Sequence, residues 1–426
     1  MNLKTHMKKI IFTLVAVATL NFTFAQNSVQ LIPNDNDSRV ITTGLPFMLI
    51  APDSRSAGMG DVGVATSVDG FSQQWNPAKY AFSEAKSGVG LSYTPYLTRL
   101  VNDISLSYAT YFNRLNDYSA VSASLKYFSL GEIVLTQDAD DVGFAVKPNE
   151  YAIDVAYSLR LADQFSMAVA LRYMRSALRI EQVPGSNAQP ASTFGADITG
   201  YYQSEEEAYA DFNGRWRAGF AIQNLGPKFK YDDGGQDTFQ PTNLRLGAGF
   251  DFIFDQYSTL GVTAEVSKYL VPTPPIRGER IVFTDANDDG VFNTDDGDTQ
   301  TPEQEAASGQ DVILEGQDND VSFISGVFQS FGDAPGGFSE ELREFTWALG
   351  AEYLYQESFA LRAGYFNEAD DKGARKFFSL GAGFKYSTIN IDLSYLFSAS
   401  KIQSPLENTL RFSLTFNFGD GEYDEY

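Results

Sequence analysis

The chain has no cysteine among its 426 residues. That excludes a disulfide framework, thiol catalysis and a lipid anchor at a processed N-terminus. Histidine is nearly absent too. The one histidine is His6, inside a stretch read below as a targeting segment. The remainder therefore has no imidazole for acid–base chemistry, a serine–histidine triad or metal ligation. Long apolar runs are also missing. Ile10 to Leu20 falls short of the roughly 20 residues a spanning helix needs. Bases are scarce, with 31 Lys and Arg against 55 Asp and Glu and a formal net charge of −24. Residues 1–25 hold three lysines (Lys4, Lys8, Lys9) and no acid, so their removal leaves −27. Such a surface repels nucleic acid and phosphate-rich ligands.

The N-terminus has the order of a secretory signal peptide. Met7-Lys8-Lys9 is basic, Ile10 to Leu20 is apolar, and Thr23-Phe24-Ala25 ends on a small residue. Cleavage is expected after Ala25, leaving Gln26 first, with Met7 an alternative initiator. The plainer alternative is a buried N-terminal helix.

What the chain does contain is alternation. From Thr409 to Phe418, Leu410, Phe412, Leu414, Phe416 and Phe418 face one way. Thr409, Arg411, Ser413, Thr415 and Asn417 face the other, because side chains alternate along a strand. The same pattern predicts strands at 88–95, 103–112, 119–129, 150–160, 165–178, 192–202, 214–224, 242–254, 257–269, 343–355, 358–366, 375–386, 389–399 and 409–418. Tyr151, Ile153, Val155, Tyr157 and Leu159 share one face, as do Ile389, Ile391, Leu393, Tyr395 and Phe397. Aromatic residues make up 14%, with 34 Phe and 23 Tyr, and there are 36 Gly besides, as aromatic girdles and strand glycines require. Mean hydropathy is only −0.22, because a polar lumen face dilutes a lipid face. The fold class is all-β: a transmembrane antiparallel β-barrel of about 14 strands, bathed by outer-membrane lipids. Substitution should be costly on the lipid face and mild on the wet one.

The connections sort by parity. Asn113–Tyr118, Leu161–Gln164, Asp255–Gln256, Gln356–Glu357 and Ser387–Thr388 are tight, with one longer link at 203–213. The alternate links 130–149, 179–191, 225–241 and 270–342 are long. Bacterial barrels put short turns in the periplasm and long loops outside. The expected domains are therefore a signal peptide at 1–25, a plug or hatch segment at 26–86, the barrel at 87–418 and an acidic tail at 419–426. The plug would start from the periplasmic side and fold up into the lumen. A small periplasmic subdomain is the alternative.

Particular residues carry a family resemblance. Arg55-Ser56-Ala57-Gly58-Met59-Gly60, then Asn76-Pro77-Ala78 before the first strand, and Gln223-Asn224-Leu225-Gly226-Pro227 at a strand end, resemble FadL-like outer-membrane proteins. That resemblance implies a fourteen-stranded barrel with an N-terminal hatch, whose motif residues here are Arg55, Gly58, Gly60, Asn76, Pro77 and Ala78. The longer run Pro52 to Thr66 resembles the PorV (LptO) family, barrels of the type IX secretion system. It implies a bacterial outer-membrane location and a role in protein secretion rather than catalysis. It further implies association with a translocon barrel (SprA or Sov), receipt of cargo through a C-terminal signal domain, and work with a PorU-like sortase. The alternative is a FadL-type transporter of fatty acids or other hydrophobic small molecules.

One segment has the spacing of a calcium loop. Asp285, Asn287 and Asp289 fill positions one, three and five, Gly290 turns the chain, and Val291, Asn293 and Asp296 follow at seven, nine and twelve. Asp replaces the usual Glu at twelve, and no flanking helices are expected. The plainer reading is a solvated acidic turn. The surrounding loop 270–342 is acidic enough for disorder, yet Val321 to Phe328, Phe331 and Phe338 are apolar and suit a protein contact. The pairs Asp140-Asp141, Asp232-Asp233 and Asp370-Asp371 fall in loops and read as solvated charge rather than opposed catalytic carboxylates.

Overall fold

A computed structural model describes residues 27–34, 37–97, 103–136, 143–178, 190–232, 234–400 and 409–419. The expected signal peptide, Asp140, Asp141, Asp233 and all but the first residue of the acidic tail lie outside the described residues.

All fourteen expected strands form. They are Ser87–Pro95, Ile104–Arg114, Ser119–Leu130, Asn149–Ala162, Phe165–Ala177, Ala191–Gln203, Asn213–Leu225, Asn243–Ile253, Ser258–Tyr269, Thr346–Tyr355, Phe359–Asn367, Lys376–Tyr386, Ile389–Ser398 and Leu410–Phe418. Each pairs antiparallel with the next, and the last pairs with the first, so the sheet closes. Closure leaves no unpaired edge for lipid to meet, which is why a sheet can span a membrane at all. A two-residue strand, Glu207–Ala208, pairs only onto Asn213 and Gly214 and stays outside the ring.

The faces are inverted relative to a water-soluble protein. Leu171 is 63% exposed and Phe194 67%, while Arg172 is 2% exposed and Arg411 1%. Such a wide apolar exterior requires hydrocarbon around it. Charged residues such as Arg172, Arg217, Glu265, Glu352, Arg362 and Arg411 instead point inward and are buried there.

The two ends of the ring differ. Residues 115–118, 163–164, 254–257, 356–358 and 387–388 are tight turns at one end, with 204–212 the longer exception. Long links occupy the other end. The longest is not the structureless loop expected at 270–342. Ile276–Thr284 and Gly309–Glu315 are strands, and Asn27–Pro33 pairs antiparallel with the first of them, Val29 opposite Val282. A short helix, Pro302–Ala307, opens with a capping box between Thr301 and Gln304. Phe323–Gln329 and Phe338–Arg343 are also helical. The second helix explains why the next barrel strand starts at Thr346 and not at 343. The chain divides into two compact units. One holds the described residues up to Ser38 with Pro275–Asp318, and the other holds Arg39–Pro274 with the remainder. The stretch read as one hatch segment, 26–86, thus contributes to both.

Candidate functional site

The site is built by residues 39–86 against the inner wall of the ring. The segment starts at the long-loop end. Arg39 donates to the Pro274 carbonyl and to Glu340, and the Leu45 amide donates to the Tyr231 hydroxyl at 2.7 Å. It finishes at the short-turn end, where the Lys86 amide donates to Gly419 and the Lys86 carbonyl accepts from Arg114. The chain therefore runs inward from the long-loop end, opposite to the direction expected from sequence.

At the mouth the contacts are apolar. Leu45, Phe47 and Met48 are buried with Leu106, Phe128, Met174 and Phe229. The Phe47 ring stacks on Phe128 at 6.3 Å. Leu45 has a φ of 52°, a costly value for a side-chain-bearing residue. The hydrogen bond from its backbone amide to the Tyr231 hydroxyl holds it there.

Deeper in, the contacts become ionic. Arg55 makes a two-point bond to Glu352, at 3.0 and 2.7 Å, and a third to Asp69 at 2.8 Å. Glu352 also accepts from Arg362 at 2.6 Å, and Arg362 from the other side donates to Asp392 at 2.6 Å. Glu265 receives the Gly63 and Val64 amides at 2.8 and 3.0 Å, plus Arg245 at 2.7 Å. Arg217 reaches the Ala65 carbonyl and Asp251. Lys126 donates to the Met48 and Ile50 carbonyls. The partners come from strands all around the ring, so this segment sits inside it.

The other motif residues act through shape and capping. Asp53 accepts from the Ser56 amide at 2.8 Å, starting the turn Ser54–Ala57, and from Trp75 Nε1 at 2.7 Å. Gly60 has a φ of +75° and lies against the Tyr365 backbone. A Cβ on Gly364 would fall 2.0 Å from the Met59 carbonyl carbon, so the wall is glycine where the backbones meet. Gly58 packs similarly on Gly381. Asn76 caps the Ala78 amide and donates to the Val64 and Gly200 carbonyls, both at 2.9 Å. The Pro77 and Ala78 carbonyls accept from Ser158 and Ser166 on adjacent strands, both at 2.7 Å. All six motif residues thus converge on one inner assembly. Sequence reasoning missed its wall: Glu352, Arg362, Asp392, Glu265 and Lys126. The signal was a charge at an inward position of an alternating strand.

A second charged cluster lies at the outer mouth. Lys372 bonds Glu340 at 2.6 Å and Glu344 at 3.0 Å, Lys268 bonds Glu344 and Glu341, and Arg39 bonds Glu340 at 2.8 Å. Burial opposes ionisation of Glu340, but bonds from Lys372 and Arg39 hold it down at about 2. Burial pushes Asp333 up to about 6 although the Thr273 amide donates to it. This cluster fastens residues 319–345, which display apolar side chains outward. Phe328 is 75% exposed and Phe338 77%, with Ile324, Phe331 and Leu342 also exposed.

The candidate calcium ligands lie in an exposed stretch and bond in two separate groups, 285–291 and 293–296. Asp285 accepts from the Asp288 and Gly290 amides, both at 2.7 Å, and Asp289 from the Val291 amide at 2.8 Å. Asn287 donates to Asp289, and Asn293 to Asp296. Among the described residues no group of three or more acids is arranged to hold a metal ion. Asp370 and Asp371 pair separately with Lys376 and Arg343. They do not oppose one another.

A family model described as "Type IX secretion system protein PorV" matches residues 33–276. No curated protein matches the chain. Among solved structures, the Pseudomonas putida toluene transporter TodX is 12% identical, with 89% of this chain and 98% of that one covered and a TM-score of 0.46. A Pseudomonas aeruginosa FadL homologue is 12% identical over 90% and 100%, with a TM-score of 0.43. The CymD monoaromatic hydrocarbon channel is 13% identical over 88% and 99%, at 0.45. The family match spans more than half of the chain, and with it this lipid-faced, closed barrel belongs to the PorV family of type IX secretion system proteins.

Proposed function

We propose that this barrel works in the bacterial outer membrane as the cargo-receiving component of the type IX system. It associates with the translocon barrel, takes cargo through its C-terminal signal domain, and passes it on for release or sortase-mediated attachment. Residues 51–82 serve as a plug that keeps the lumen shut. Family membership gives the system, and one structural feature supports the partner role: an exposed aromatic surface on a segment anchored by buried ion pairs. Phe328, Phe331 and Phe338 stand out from residues 319–345, and Glu340, Glu341 and Glu344 tie that segment to Lys268, Lys372 and Arg39. An anchored apolar patch suits association with another protein, because little ordering cost remains at binding. Transport of small hydrophobic molecules is less well supported. The apolar space at the mouth is filled by Leu45, Phe47 and Met48 of the same chain.

The test is deletion of the gene with complementation. Proteins bearing the C-terminal signal should disappear from the medium and cell surface, and growth on a long-chain fatty acid should be normal. Normal secretion with failed growth on fatty acid would replace this reading with transport.

A further inference from the structure

The short-turn end breaks its own rule at residues 204–212. There the chain forms the small strand Glu207–Ala208, which pairs back onto Asn213 and Gly214. Tyr209 stacks on Phe212 at 5.0 Å, and its amide donates to the Phe212 carbonyl. Phe212 in turn packs on Phe252, ring centres 5.3 Å apart. The link is therefore a built element rather than slack chain. Between it and the turns at 254–257 and 356–358 lies a cavity of about 610 Å³.

Its lining has two chemistries. Tyr209, Phe254 and Tyr257 supply aromatic surface, while Glu206, Asp211, Asp255 and Glu357 supply carboxylates. No lysine or arginine is among the described residues that line it. Two bases pair loosely with its acids, Arg215 at 3.7 Å from Glu206 and Lys385 at 3.8 Å from Glu357. Asp211 and Asp255 have no ion-pair partner among the described residues. Carboxylates attract a cation by charge, and aromatic faces attract one by their quadrupole. A bare metal ion fits poorly, because it needs ligands converging on one point and no three of these carboxylates converge so among the described residues. A cleft of this volume takes several side chains at once.

The geometry points to a docking cleft for a basic polypeptide segment, one presenting lysine or arginine to the short-turn, periplasmic mouth of the ring. It lies at the opposite end from the aromatic surface proposed above and does not depend on that role. The rim acids draw the segment in, and Tyr209, Phe254 and Tyr257 take the ammonium or guanidinium groups against their faces.

The test uses full-length protein in detergent, titrated with fluorescein-labelled hexalysine and followed by anisotropy, with labelled hexaglutamate as control. Three variants are compared: E206Q/D211N/D255N/E357Q, Tyr257→Leu, and D288N/D295N/E303Q/E305Q, which removes as many acids from the other compact unit. A gel shift on boiling verifies that each barrel is folded. The cleft charge variant should bind hexalysine about tenfold more weakly or worse. Tyr257→Leu, which changes no charge, should weaken it about threefold. The distant acid variant should bind like the parent. Unchanged binding in the cleft variant, or equal weakening in the distant one, would overturn the proposal. So would unchanged binding in Tyr257→Leu, which would reduce the cleft to part of a diffuse acidic surface.

Discussion

Arg55 shows why single residues matter inside this ring. Its guanidinium joins two points of Glu352 and one of Asp69, and all three groups are buried or nearly so. Replacing it by alanine leaves buried carboxylates short of their counter-charge, which costs about 3–5 kcal/mol. Arg55→Ala should lose its compact gel form at a markedly lower temperature than the parent. Arg55→Lys should recover only part of the loss, since a lysine cannot make the two-point bond. The inner face is therefore not the tolerant one that a water-filled lumen would make it. Asp392 illustrates the correction, because its carboxylate meets Arg362 in a buried pair at 2.6 Å. Next to it, Leu393→Arg on the lipid side should cost about 2–4 kcal/mol if near the midplane. Asp392→Asn should also destabilise, though less, because Arg362 keeps Glu352. Melting of the two folded variants in one detergent checks the order, and an unaltered Asp392→Asn protein would contradict the pairing.

Among elements, residues 319–345 should respond to pH. Asp333 is pushed up to about 6, so in the folded state it holds its proton where an unfolded carboxyl has lost it. The folded form binds more protons between about pH 4 and pH 6, and stability falls as pH rises through that window. Proteolysis of this segment should accelerate from pH 4.5 to pH 6.5 beyond the protease's own pH dependence. Asp333→Asn should flatten the change, and an identical profile in both would assign it elsewhere. The acidic turn is a separate case. If Asp285, Asn287, Asp289 and Asp296 take up Ca²⁺, chelator should speed digestion within 276–315. A variant with Asp285→Ala and Asp289→Ala should digest quickly with or without chelator. No chelator effect in the parent would leave an acidic turn held by its own backbone amides.

These elements also mark where sequence stopped being informative. Leu410 through Phe418 could be read directly, because strand periodicity is local and the lipid face tolerates little but apolar side chains. Tight turns such as 387–388 were equally plain. Pairing between distant segments was not. Asn27–Pro33 and Ile276–Thr284 each look like short, mixed stretches, and only their ladder makes them strands. Arg55 and Glu352 are 297 positions apart, and only the packing of residues 39–86 inside the ring brings them together. The motif at Asn76-Pro77-Ala78 could be found, but the carbonyls it offers to Ser158 and Ser166 could not.

For the whole molecule, the path of the chain makes the sharpest prediction. Arg39 is bonded at the long-loop end. Residues 51–82 then pass down the inside, and the first barrel strand rises from the short-turn end. Barrels of this kind place long loops outside the cell. By its connection to Arg39, Asn34 is expected to be reachable from outside the cell, although it precedes the entire barrel in sequence. The absence of cysteine makes a clean test possible. A single cysteine at exposed Asn34 should react with a membrane-impermeant maleimide on intact cells. One at exposed Asp117, in the turn 115–118, should react only after the outer membrane is permeabilised. Both variants should keep the gel shift on boiling, which reports a closed barrel. Labelling of Asp117→Cys but not Asn34→Cys on intact cells would invert the orientation. Labelling of neither would mean that the N-terminal strand is shielded, and that the chain does not emerge where its hydrogen bonds at Arg39 direct it.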